Sequence, residues 1–108
     1  MTAPQDRRFE PRSPANVRAI VIAPGFELPC LLVDQSDRGG RIRLERNLVL
    51  PPVVMVIDIA EGLSIEAQVA WQKGLEAGLK RTGQASLRGL VPSRLSDARA
   101  AWIRAGGR

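Results

Sequence analysis

Ser64-Ile65-Glu66-Ala67-Gln68-Val69-Ala70-Trp71-Gln72 carries the cleanest two-residue alternation in the chain. Ile65, Ala67, Val69 and Trp71 fall on one face, and Ser64, Glu66, Gln68 and Gln72 on the other. A period of two belongs to a strand with one buried face, because successive side chains leave a pleated backbone on opposite sides. Upstream, Glu61-Gly62 makes a turn, and residues 53–59 form the most apolar strand, opened by Pro51-Pro52. Downstream, Lys73-Gly74 is a second turn, followed by a short final strand over residues 75–80.

The same pattern extends towards the N-terminus. Residues 16–23 are rich in β-branched side chains and stop at Pro24-Gly25, a turn signal. Residues 26–34 form the next strand, in which Pro29 marks an edge position or a bulge. Residues 37–40 form a turn. In residues 41–45, Ile42 and Leu44 alternate with Arg41, Arg43 and Glu45. Six strands with turns about every ten residues predict a small antiparallel barrel or sandwich.

The two ends differ. Residues 1–13 are polar, hold two prolines and lack apolar periodicity, so they read as an extended, mobile arm. Residues 14–80 make the all-β body and residues 81–108 a basic tail. In that tail Leu95, Ala98, Trp102 and Ala105 recur at helical spacing. A helix is expected over residues 93–105, with Ser93 or Ser96 as cap and Gly106-Gly107 as stop. Its apolar stripe packs on the body, or else forms a homodimer contact. Trp71 is assigned to the core or to a lid.

Composition removes several function classes. The chain of 108 residues fits one domain able to bury a core without staples. It has no histidine, the commonest general base and metal ligand, and one cysteine, Cys30, inside an apolar run. Cys30 reads as a buried, inert thiol. Ser36 lacks the setting of a hydrolase nucleophile. An enzyme is not expected, nor is a cofactor or metal. The apolar stretch at residues 48–57 is broken by prolines and too short to span a membrane. The N-terminus lacks a secretory pattern, so the expected location is cytoplasmic. The net charge of +5 resides in the tail: residues 80–108 carry seven basic side chains and one acidic.

Two short runs carry chemistry. The first is Arg7-Arg8-Phe9-Glu10-Pro11-Arg12, in which Arg8 and Arg12 form Arg-x-x-x-Arg. The second is Asp34-Gln35-Ser36-Asp37-Arg38-Gly39-Gly40, an Asp-x-Ser-x-x-Gly-Gly run after a strand. A guanidinium presents a planar fork that matches phosphate oxygens and the O6/N7 edge of guanine. A carboxylate accepts from the N1 and N2 donors on guanine's other edge.

The two runs, in this order and spacing, resemble the PilZ domain, the bacterial receptor module for cyclic diguanylate (c-di-GMP). Val69-Ala70-Trp71, Gly74 and Glu76-Ala77-Gly78-Leu79 resemble that family's paired closing strands. The resemblance covers roughly residues 7–80. It implies an all-β fold, a six-stranded antiparallel β-barrel with an N-terminal arm that clasps the ligand. It also implies that Arg7, Arg8 and Arg12 contact phosphate and guanine, that Asp34 and Ser36 bind a guanine's polar edge, and that Gly39 and Gly40 let ligand and backbone approach. The expected function is a c-di-GMP receptor or adaptor signalling to a downstream protein, as a monomer or homodimer. One alternative is a PilZ-like interaction module that binds no nucleotide. The other is a small basic barrel for nucleic acid, against which the shortage of strand aromatics argues.

Overall fold

The computed structural model describes residues 16–36 and 38–107. The strands are β1 (Val17–Ala23), β2 (Phe26–Gln35), β3 (Gly39–Leu44), β4 (Val53–Asp58), β5 (Leu63–Lys73) and β6 (Glu76–Ser86). All pairings are antiparallel and the sheet closes in the order β1-β2-β3-β6-β5-β4, so the expected six-stranded antiparallel barrel is the fold. Among the described residues closure leaves no strand edge for an added strand.

Two apolar clusters sit on opposite sides of the barrel wall. Inside are Val21, Leu28, Leu32, Ile42, Val56 and Ala67 with their neighbours. Outside, Ile20 of β1 and Ile57 of β4 face Leu87, Leu95, Ala98 and Trp102. β1 and β4 therefore bury both faces, which accounts for their continuous apolar runs.

The outer cluster is roofed by a 3-10 turn (Ser93–Leu95) and the helix α1 (Ser96–Arg104). Leu95, Ala98 and Trp102 of the expected stripe are buried, and Ala105 packs at the margin. The stripe lies on the barrel. The serines do not cap the helix: Leu95 holds the N-cap position without a side-chain bond, and Ser96 Oγ donates to Ser93 O at 2.9 Å. The stop is as expected. Gly106 adopts φ 101°, its N–H donates to Ile103 O, and Gly107 N–H donates to Trp102 O. That pair of bonds is a Schellman closure, for which glycine's access to the left-handed region is required.

Trp102 fixes the helix to the turn between β4 and β5. Its Nε1 donates to Ile59 O at 2.8 Å, and the Arg88 guanidinium lies 5.4 Å from its ring centroid. Arg88 also donates to Glu61 O and Ala60 O. Stacking and hydrogen bonding thus join residues distant in sequence.

Two boundaries differ from expectation. The last strand runs to Ser86 rather than stopping at Lys80, so residues 81–86 belong to the barrel. They are polar or small and alternate between half-buried and exposed, while pairing with residues 63–67 of β5 through a bulge that leaves Thr82 as the extra residue. Backbone pairing rather than side-chain burial holds them. Gly39 and Gly40 are the first residues of β3, not part of the turn, and pair with Lys80 and Leu79 of β6. Asp37 and the arm at residues 1–13 lie outside the described residues.

Candidate functional site

Four side-chain positions form one row across the outer face: Asp34 on β2, Arg41 on β3, Gly78 on β6 and Trp71 on β5. Each is the direct cross-strand partner of the next. Two β-bulges create this row. On β2, Leu32 pairs with Ile42 and Asp34 with Arg41, so Val33 is an extra residue. Strict alternation from the buried Leu32 would turn Asp34 into the core. The bulge turns it outward beside Arg41, with 18 % of its side chain exposed.

The second bulge does the same for the tryptophan. Val69 pairs with Leu79 and Trp71 with Gly78, leaving Ala70 as the extra residue. Trp71 therefore leaves the face of Ile65, Ala67 and Val69 and is 45 % exposed. This corrects the expectation that it is a core or lid residue. Gly78 makes room for it, since a Cβ there would run into the indole.

Around the row lies a groove of about 500 Å³, lined by Asp34, Ser36, Arg38, Gly39, Gly40, Arg41, Ala70, Trp71, Gly78, Leu79 and Lys80. Three cations against one carboxylate give it a positive balance suited to an anion. The Arg41 guanidinium stands 3.8 Å from Asp34 Oδ2 and 3.7 Å from Glu76 Oε1, and its Nε is buried without a hydrogen-bond partner among the described residues. Ser36 N–H donates to Gly39 O at 2.8 Å, and Ser36 Oγ approaches the same oxygen at 3.4 Å. Ser36 therefore helps fix the turn at the groove's edge.

The glycines also have a reason within the fold itself. A Cβ on Gly39 would collide with the carbonyl of Leu79, and one on Gly40 with the carbonyl of Asp34. Strand contact demands them, whatever occupies the groove. Of the residues singled out in the sequence, Asp34, Ser36, Gly39 and Gly40 come together here. Arg7, Arg8 and Arg12 lie outside the described residues. Trp71, Arg41, Arg38 and Lys80 went unidentified as groove residues, because outward placement depends on bulges and on the β3–β6 pairing.

Two larger hollows, of about 670 and 690 Å³, flank α1. In the first, Arg104 is already paired with Glu27 at 2.5 Å. The second is lined by Ile22, Met55 and Ala98 beside the helix. Both also carry charged side chains, Arg18, Arg43 and Glu45 in the first and Glu66, Arg94 and Asp97 in the second, but neither includes a residue of the bulged row. Cys30 faces the interior, and burial pushes its thiol up to about 12, so it is no nucleophile at neutral pH.

The family description "PilZ domain" matches residues 6–91. The match spans both runs and all six strands, and stops before α1. Neither a curated protein nor a solved structure gives a significant match.

Proposed function

The chain belongs to the PilZ domain family, and from that premise we propose that it is a c-di-GMP receptor whose bulged row and N-terminal arginines hold the ligand between them. PilZ domains are in general c-di-GMP-binding modules, receptors or adaptors rather than enzymes. The observation that carries the proposal for this chain is the row itself. A carboxylate, a guanidinium and an exposed indole stand side by side over a positive groove.

Each group has a chemical task. Asp34 accepts from guanine N1 and N2, and Ser36 supplements that polar edge. Trp71 offers an aromatic face, and stacking of a base on such a face contributes ~1–3 kcal/mol. The arginines of the first run supply forks for phosphate and for guanine O6/N7. The place where the chain enters the barrel supports their part in the site. Val17 pairs with Leu32, so the chain enters β1 beside the Val33 bulge. Arg12 lies four residues before Asn16 and Arg8 eight. An extended chain covers up to ~3.3–3.6 Å per residue, so roughly 13 Å is open to the first and roughly twice that to the second.

Closing the arm orders residues at ~1–2 kcal/mol each. Phosphate contacts offset that cost only when ligand is present. The closed arm is then a surface that a downstream protein can read.

Isothermal titration of the full chain with c-di-GMP tests the reading. Saturable binding is expected, with Arg8→Ala or Arg12→Ala losing most of it at an almost unchanged melting temperature. Absence of heat and of any melting shift at high protein concentration would favour an interaction module that binds no nucleotide.

A further inference from the structure

Arg41 occupies a position that the two motifs do not include. It sits in the middle of the row, between Asp34 on one side and Gly78 and Trp71 on the other. Its guanidinium is shared by two carboxylates at nearly equal distances, 3.8 Å to Asp34 and 3.7 Å to Glu76. Both separations exceed hydrogen-bond length, so neither carboxylate engages it in a fork. Its Nε is buried with no partner among the described residues. The guanidinium thus holds unused donors while lining the groove.

We propose that Arg41 is a partner-exchanging ligand residue: it neutralises Asp34 in the ligand-free protein and transfers to a phosphate of c-di-GMP when guanine takes its place on Asp34. This rests on the receptor reading above. The exchange conserves charge pairing. Asp34 gives up a guanidinium and gains the guanine N1 and N2 donors, while Arg41 gives up a carboxylate and gains a phosphate. Burying a carboxylate is costly unless cations or donors face it, and Arg41 supplies one such cation without blocking the groove irreversibly.

Glu76 sets how readily the exchange occurs. It lies on β6 opposite Arg43, with its Oε1 3.7 Å from Arg41 Nη1. A carboxylate there competes with the incoming phosphate for the same cation. Glu76 is therefore an affinity-limiting residue.

The test is titration of the full chain with c-di-GMP at several salt concentrations, for wild type, Arg41→Gln, Arg41→Lys and Glu76→Gln, each with its melting curve. Loss of one charge-assisted contact weakens binding roughly tenfold to a hundredfold. Arg41→Gln is expected in that range, with a flatter salt dependence, because one phosphate-paired cation is gone. Arg41→Lys keeps the point charge and recovers part of the affinity. Glu76→Gln is expected to bind several-fold more tightly. Tighter or unchanged binding by Arg41→Gln would overturn the proposal, since Arg41 would then only shield Asp34. Weaker binding by Glu76→Gln would overturn its competing role. Failure of wild type to bind would remove the receptor reading itself, which the wild-type titration reads separately.

Discussion

Asp34 and Trp71 owe their positions to single extra residues, Val33 and Ala70, rather than to their own side chains. That dependence shaped what could be read in advance. The carboxylate was legible because it opens a run ending in two glycines. The tryptophan was misplaced because alternation from Ile65 carries it inward, and no local residue type announces a bulge at Ala70. If Asp34 reads guanine N1 and N2, Asp34→Asn will weaken c-di-GMP more than c-di-AMP, because adenine lacks that donor pair. Equal losses in competitive titrations would make Asp34 structural. Cys30 gives a second residue-level prediction. Its thiol ionises near 9.0 when exposed and near 12 in the folded chain. The unfolded state therefore loses its proton first, and stability falls as pH rises above about 9 towards 12. Alkylation at pH 8 should be slow in the native protein and fast in urea, and Cys30→Ala should remove that part of the alkaline decline. Rapid native alkylation would place the thiol at the surface.

At the scale of elements, apolar periodicity located the strands up to residue 80 and the helical stripe of the tail. It failed for residues 81–86, whose Arg81, Thr82, Gly83 and Gln84 carry no apolar face, although they pair with β5 through the backbone. It also placed the glycine pair in a turn, because two glycines signal chain reversal locally. Here they open β3, where neighbouring carbonyls come too near for a Cβ. The helix is a distinct element by function as well as by position. It covers β1 and β4, whereas the groove row crosses β2, β3, β6 and β5. Trp102→Ala removes a buried indole and its bond to Ile59, at a cost of ~3–5 kcal/mol. Melting should fall accordingly, while c-di-GMP affinity at a temperature where the variant is folded should stay within a few-fold of wild type. A loss of affinity comparable to that of Arg41→Gln would mean that the helix takes part in the site.

For the whole molecule, the barrel's closure brings the site together. The β3–β6 and β1–β4 pairings join strands distant in sequence, and no local pattern encodes them. The PilZ resemblance implied a six-stranded antiparallel barrel without saying which strands close it, and the structure supplies those pairings. No helix among the described residues is long and apolar enough to cross a membrane. The molecule also contains its own paired probe. Trp71 lies in the groove row, and Trp102, whose Nε1 donates to Ile59 O at 2.8 Å, belongs to α1 and packs against β1 and β4. Their indole N–H groups give separate signals in a ¹H–¹⁵N correlation spectrum. Titration with c-di-GMP should move the Trp71 indole signal together with the amides of Gly39, Gly40 and Gly78, and leave the Trp102 indole signal in place. An unchanged spectrum at saturating ligand, or shifts centred on Trp102 and the helix, would contradict a nucleotide site on the bulged row.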